Sequence, residues 1–179
     1  AGLLEKSVVE GRASYHIADP VLKAWLLANP RPKYSKASYQ QLKLAALSFE
    51  ALVRELLSRV TSEIEVVDEN GMRLRLRPFR SVERALVSQL EVDALAVAEG
   101  YSLVVECYFG EKAKPRKVMQ AAKARDSLRE AGVAAEACVI SYFGFTPRAL
   151  EAARALRVYT LSKRQLRELR KAVAPSLPL

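Results

Sequence analysis

Three carboxylates stand inside two otherwise apolar runs. The segment LEVDALAVAEGYSLVVECYFG, residues 90 to 110, carries Glu91 and Asp93 in its first run and Glu106 in its second. Burying a carboxylate is costly unless it is paired or bound to a metal. Side chains alternate along extended backbone, so Glu91 and Asp93 share one face, and Glu106 and Tyr108 share another. If Glu99-Gly100 turns a hairpin, Asp93 and Glu106 lie equally far from the turn and become cross-strand neighbours. Like charges that close raise one another's pKa. A magnesium or manganese ion between them removes the repulsion, and such a hard cation keeps positions open for a phosphate substrate. The competing reading is a solvated polar face whose acids pair with the chain's many arginines. Acid-x-acid spacing alone does not separate the two.

The balance of charge points the same way as a phosphate substrate. Formal net charge is +9, which favours polyanionic partners, DNA foremost. The alternating run MRLRLR gives one strand face to Arg73, Arg75 and Arg77. The segment EKAKPRKVMQAAKARDSLRE adds Arg116, Lys117 and Lys123, and the last helix adds Lys163, Arg164 and Arg167. Each run alone reads as a solvated surface; together they make candidate phosphate contacts. For the arginine strand the alternative is acidic protein surface on a partner.

Other chemistries fail on inventory. GxxxxGK[ST], GxSxG and GxGxxG are all missing, so no P-loop, nucleophile elbow or dinucleotide fingerprint is expected. The single histidine, His16, has no visible catalytic partner, and Trp25 and Tyr15 read as core of a small N-terminal module. Cys107 and Cys138 lack metal-type spacing and read as buried thiols in a reducing compartment. No apolar run is long enough to span a bilayer, and the first residues lack the layout of a signal peptide, so a cytoplasmic protein is expected. Scarce asparagine and an excess of arginine over lysine fit a thermophilic source or a GC-rich genome equally.

These residues need elements to hold them. Residues 7 to 18 read as a short hairpin, followed by a helix that Asp19-Pro20 opens. A polar linker covers about residues 29 to 37. A long helix begins near Ser38, with apolar residues from Leu42 to Leu57 at helical spacing. EIEVVDENGMRLRLRPF reads as a hairpin turning at Asn70-Gly71, and RSVERALVSQ is ambiguous. After the acid-bearing strands come a helix from Pro115 to about Ala131, a strand over AEACVISYFGF, and a helix that Thr146 and Pro147 open. RVYTL is a last short strand, and Ser162 caps the final helix. The pattern predicts an α/β domain with a mixed sheet flanked by helices on both faces.

The order of a helix with an acid, a strand with an acid and a strand ending Val-Glu-Cys resembles the PD-(D/E)XK nuclease superfamily. More narrowly, YHIADPVLKAWL, FEALVRELL, EVDALAV and VVECYFG resemble the C-terminal region of archaeal ATPases that carry a nuclease-like domain after a winged helix. The resemblance covers nearly the whole chain. It implies a restriction-endonuclease-like fold over residues 38 to 179, preceded over residues 1 to 37 by a winged-helix tail and linker. It further implies an ATPase domain missing from this chain; a homodimer is a second assembly to test. Carried over by position, Asp93 and Glu106 are the metal-binding acids and Glu50 is the helical acid. The position two after Glu106 should hold lysine and holds Tyr108. Lys112 and Lys114 follow closely and are the expected substitutes. Two functions stay open: a nucleic-acid-binding, weakly active, divalent-metal-dependent DNA endonuclease, or a catalytically inactive interaction or regulatory module.

Overall fold

The computed structural model describes residues 4–9, 12–17 and 36–174. The chain divides into two compact units, residues 1–49 with 176–179, and residues 50–175. In the first, β1 (Leu4–Val9) and β2 (Arg12–Ile17) form the antiparallel hairpin expected around Glu10-Gly11, with Val9 opposite Arg12. The helix expected after Asp19-Pro20 lies outside the described residues, as does Trp25, so the winged-helix assignment rests on the sequence resemblance. Helix α1 runs Lys36–Ser58, close to its expected start.

The second unit contains two sheets. β3 (Ile64–Val67) and β4 (Arg73–Leu76) make the predicted hairpin. A five-stranded sheet has the order β5-β6-β7-β8-β9, built from β5 (Ser81–Val87), β6 (Leu90–Ala98), β7 (Tyr101–Tyr108), β8 (Ala135–Ser141) and β9 (Tyr159–Ser162). The first three strands are antiparallel and the last three parallel, so the sheet is mixed. Helices α2 (Pro115–Glu130) and α3 (Pro147–Leu156) make the crossovers from β7 to β8 and from β8 to β9; α4 (Lys163–Val173) follows β9.

The segment that alternation left ambiguous, RSVERALVSQ, is the edge strand β5 and its turn. Ser88 and Gln89 connect it to β6 with φ of 46° and 68°, the left-handed pair of a tight two-residue hairpin turn. Glycine or asparagine usually marks that geometry, so Ser-Gln hides it. β7 is buried along its whole interior, on both faces, as expected of a central strand with layers on each side. One face of the sheet meets small residues of two helices. Val104, Ala137 and Val139 pack with Val118, Ala121 and Ala122 of α2 and with Ala149 and Ala153 of α3. The alanines let the helices approach the sheet closely, which draws α2's first turn toward the strand ends.

A buried acid ties the β3–β4 hairpin to the main sheet. Asp68 is 2% exposed. One carboxylate oxygen accepts from the Asn70 and Met72 amides at 2.8 and 2.7 Å, holding the turn. The other accepts from the amide and hydroxyl of Thr160, both at 3.0 Å. Four bonds justify burying the charge where one would not. Asp68→Ala leaves the Thr160 amide buried and unpaired, and we expect a loss of about 3 kcal/mol, with Asp68→Asn less harmful. The midpoint of urea denaturation at unchanged slope checks this.

Candidate active site

The expected hairpin places the acids. Its register runs from Ala98 opposite Tyr101 to Ala94 opposite Val105. Asp93 and Glu106 are the next residues outward. Gly100 turns the chain with φ of 64°. On the other side of β6, Glu83 pairs with Leu95 and Ala85 with Val92. Two β6 residues, Asp93 and Ala94, therefore oppose the single Arg84. This is a β-bulge, and a bulge re-aims the side chain that it carries. The Asp93 carboxylate accepts the Cys107 amide at 2.7 Å, standing in for a ladder bond. Arg54 of α1 holds the Asp93 carbonyl at 2.8 Å.

Glu106 is fully buried. Its partners come from the first turns of α2. Lys117 Nζ lies 2.7 Å from one carboxylate oxygen, and Gln120 Nε2 donates to the other at 3.0 Å. The same ammonium lies 3.8 Å from Asp93 Oδ2. One cation thus touches both acids. Burial pushes Glu106 up to about 7, with Asp93's charge adding to the rise while Lys117 and Gln120 oppose it. For Lys117, burial works against the charged form, but the hydrogen bond and charge of Glu106, with Asp93 behind, outweigh it and hold the ammonium protonated.

Helix α2 is aimed at the acids by its entry loop. Gly144, at φ of 79°, closes a turn in which Ser141 Oγ donates to the Gly144 carbonyl at 2.7 Å. That carbonyl also accepts the Ala113 amide at 2.8 Å, and the Ala113 carbonyl accepts the Thr146 amide at 3.0 Å. Ala113, fully buried, is thereby pinned two residues before Pro115, the first helical residue. Lys117 and Gln120 are three apart and share a helix face. An open cleft of about 380 Å³ lies in front, lined by Tyr108, Lys114, Arg116, Lys117 and Gln120.

The remaining expected residues divide. Lys114 lines the cleft and Lys112 is exposed, while the cation in contact with the acids is Lys117, which sequence reading had placed only among the phosphate contacts. The lysine-x-x-glutamine spacing opening the helix after β7 is the signal that could have found it. Glu50 faces inward from α1 with its side chain 14% exposed, but Arg84 pairs with it and reaches Glu91 at 3.2 Å. Among the described residues, no three His, Cys, Asp or Glu side chains cluster as a metal cage. Carboxylates are the oxygen ligands that a hard cation takes, and here the cation would compete with the Lys117 ammonium for the Glu106 carboxylate. Asp93 and Glu106 would hold it. Both cysteines are buried thiols, as expected, and burial pushes each up.

The phosphate-contact candidates fall on several surfaces. Arg116 lines the cleft, and Lys123 is exposed farther along α2. Arg73, Arg75 and Arg77 line a separate pocket. On α4, Arg167 is exposed, Arg164 lies 3.9 Å from Glu69, and Lys163 donates to the Tyr142 hydroxyl at 2.5 Å. No helix among the described residues is long and apolar enough to cross a membrane.

The raised Glu106 carries a pH signature. A carboxyl whose folded pKa exceeds its unfolded value stabilises the fold below the unfolded pKa and loses that contribution as pH rises through the folded one. Stability should therefore fall between about pH 4.5 and about pH 7, the ordinary and folded values of Glu106. The shift corresponds to about 3 kcal/mol. Urea midpoints of the wild type and Glu106→Gln across that range check it, with the pH slope weakened in the variant.

No family model matches this chain, and no curated protein matches it. Several solved structures are similar to it. A repair endonuclease from Pyrococcus abyssi is 18% identical with a TM-score of 0.41, over 74% of this chain and 48% of its own. The small subunit of a heterodimeric restriction endonuclease is 12% identical with a TM-score of 0.45, over 79% of this chain and 78% of its own. A protein of unknown function is 14% identical with a TM-score of 0.46, over 70% of this chain and 66% of its own. The chain thus spans about half the length of the repair endonuclease.

Proposed function

We infer that this domain binds nucleic acid and hydrolyses its phosphodiester bonds slowly with a divalent cation, using Asp93, Glu106 and Lys117. The observation that carries this is the single ammonium of Lys117, 2.7 Å from Glu106 and 3.8 Å from Asp93, at the mouth of an open basic cleft. The nuclease motif resembled by the sequence asks for two acids and one lysine. Here the lysine comes from the following helix in place of Tyr108. A magnesium or manganese ion bound by the two acids supplies Lewis acidity and a more acidic water.

The chain's own groups do the rest. Arg116 and Lys114 draw a phosphate to the cleft, Gln120 fixes the orientation of Glu106, and Lys117 moves a short distance to the phosphate to balance charge that develops on its oxygens. The Cys107 amide holds the Asp93 carboxylate and Arg54 holds its backbone carbonyl, so the residue is fixed in place beside Glu106. Glu50 is the weak point, because Arg84 claims it. That pairing favours the second reading, a silent nucleic-acid-binding or docking module, for which the ATPase implied by the sequence resemblance is the natural partner.

Nicking of supercoiled plasmid with magnesium or manganese separates the two. We expect slow nicking, abolished in Asp93→Ala and reduced about a hundred- to a thousand-fold in Lys117→Ala. Adding Tyr108→Lys to Lys117→Ala should restore part of the rate, since it returns the ammonium from the strand. Nicking that survives in Asp93→Ala would place the chemistry elsewhere. No nicking, together with no manganese binding by calorimetry, would leave the binding module.

A further inference from the structure

A second polar pocket, of about 170 Å³, lies away from the acids. It is lined by Arg73, Arg75, Arg77, Tyr101, Glu136 and Tyr159. Tyr101 and Glu106 are five residues apart on β7. They therefore point to opposite faces of the sheet, with their backbones about 17 Å apart along the strand. The arginine pocket and the acid cleft are two sites.

The pocket has a built floor and a cationic rim. The hydroxyl of Tyr101 donates to Glu136 at 3.1 Å, and that of Tyr159 reaches the same carboxylate at 3.5 Å. Glu136 is thus engaged by two O–H donors below the rim. The Arg77 guanidinium stands 5.8 Å from the centre of the Tyr101 ring, which orients it without neutralising it. Arg73 and Arg75 lie 3.2 and 3.8 Å from Glu65, with their side chains 73% and 67% exposed. Such open pairs are weak and exchange partners readily. Three guanidinium groups against Glu65 and Glu136 leave one positive charge, the complement of one phosphodiester.

The spacing of the row also fits a strand of nucleic acid. Arg73 and Arg75 are alternate residues of β4, about 6.8 Å apart, and Arg77 follows just past the strand's end. Successive phosphates of a nucleic-acid strand are separated by a similar step. Arginine rather than lysine suits this contact, since its planar fork can engage two phosphate oxygens at once. The buried side of β4 is Leu74 and Leu76, so the row is locked in place by the core beneath it.

We propose that Arg73, Arg75 and Arg77, with Tyr101 behind Arg77, form a second nucleic-acid contact, which grips the phosphodiester backbone of a segment other than the one in the acid cleft. This rests on the nucleic-acid reading of the domain but not on cleavage. A substrate that reaches both faces must bend around the sheet edge or present a second arm. A short linear fragment would use one site at a time.

Fluorescence anisotropy of the full 179-residue chain with a DNA duplex long enough to reach both faces and with a short one, across a salt series, tests this. For Arg77→Gln on the long duplex, the slope of log affinity against log salt should weaken by about one. The triple variant Arg73→Gln/Arg75→Gln/Arg77→Gln should lose more, and should bind long and short duplexes nearly alike. Arg77→Lys should keep the slope. Circular dichroism must show each variant folded, and Arg116→Gln, in the cleft, must weaken the slope independently. A slope unchanged in the folded triple variant, while Arg116→Gln weakens it, overturns the second contact and leaves the nucleic-acid reading intact. Wild-type protein that binds no DNA at low salt overturns both. If polyglutamate binds and only the triple variant loses it, with the DNA slope unchanged, the row belongs to an acidic protein partner and the proposal fails.

Discussion

A fully buried glutamate on the central strand of a sheet is the constraint to which the rest of this domain answers. Glu106 sits where an apolar side chain would cost nothing, and its charge needs a partner from within the protein. Lys117 and Gln120 supply it. Both stand on one face of α2, and α2 can reach them in only because its alanines lie flat against β7 and β8. The loop closed by Gly144 and Ala113 sets where that helix begins. Fold and site are therefore one construction: the same packing that fills the core delivers the ammonium to the acids.

That arrangement sets burial against charge pairing. Burial pushes Glu106 up to about 7, while the hydrogen bond and charge of Glu106 hold Lys117 protonated beside it. Lys117 and Gln120 border an open cleft that Tyr108, Lys114 and Arg116 also line. By contrast, Asp68 is also buried, yet it is saturated by four hydrogen bonds. The two buried acids differ in how their charge is met: Asp68 by backbone and hydroxyl donors, Glu106 by an ammonium and an amide side chain.

Charge is distributed with similar economy. The basic residues do not merge into one surface: some border the acid cleft, some ride on α4, and the β4 arginines open onto the far face of the sheet. A domain with net charge of +9 can attract a polyanion at long range from any side.

Much of this was written in the sequence. The Glu99-Gly100 and Asn70-Gly71 turns, the Pro115 and Pro147 helix starts and the Ser162 cap are local signals, and local backbone chemistry decides them. The matched distance of Asp93 and Glu106 from their turn was legible too, because period-two alternation carries a side chain's face along the strand. Tertiary structure decided what alternation cannot encode. The bulge at Asp93 depends on the pairing of β5 with β6, and β5 was hidden by a turn without glycine. Arg84's claim on Glu50 joins residues 34 apart, and Asp68's hold on Thr160 joins residues 92 apart. Motif order in the sequence points to the strand or the loop behind it for a lysine near the acids. The ammonium that meets Asp93 and Glu106 comes from Lys117 on the following helix, because a closely packed neighbour brings its side chain near in space, and distance in space is what Coulomb attraction obeys.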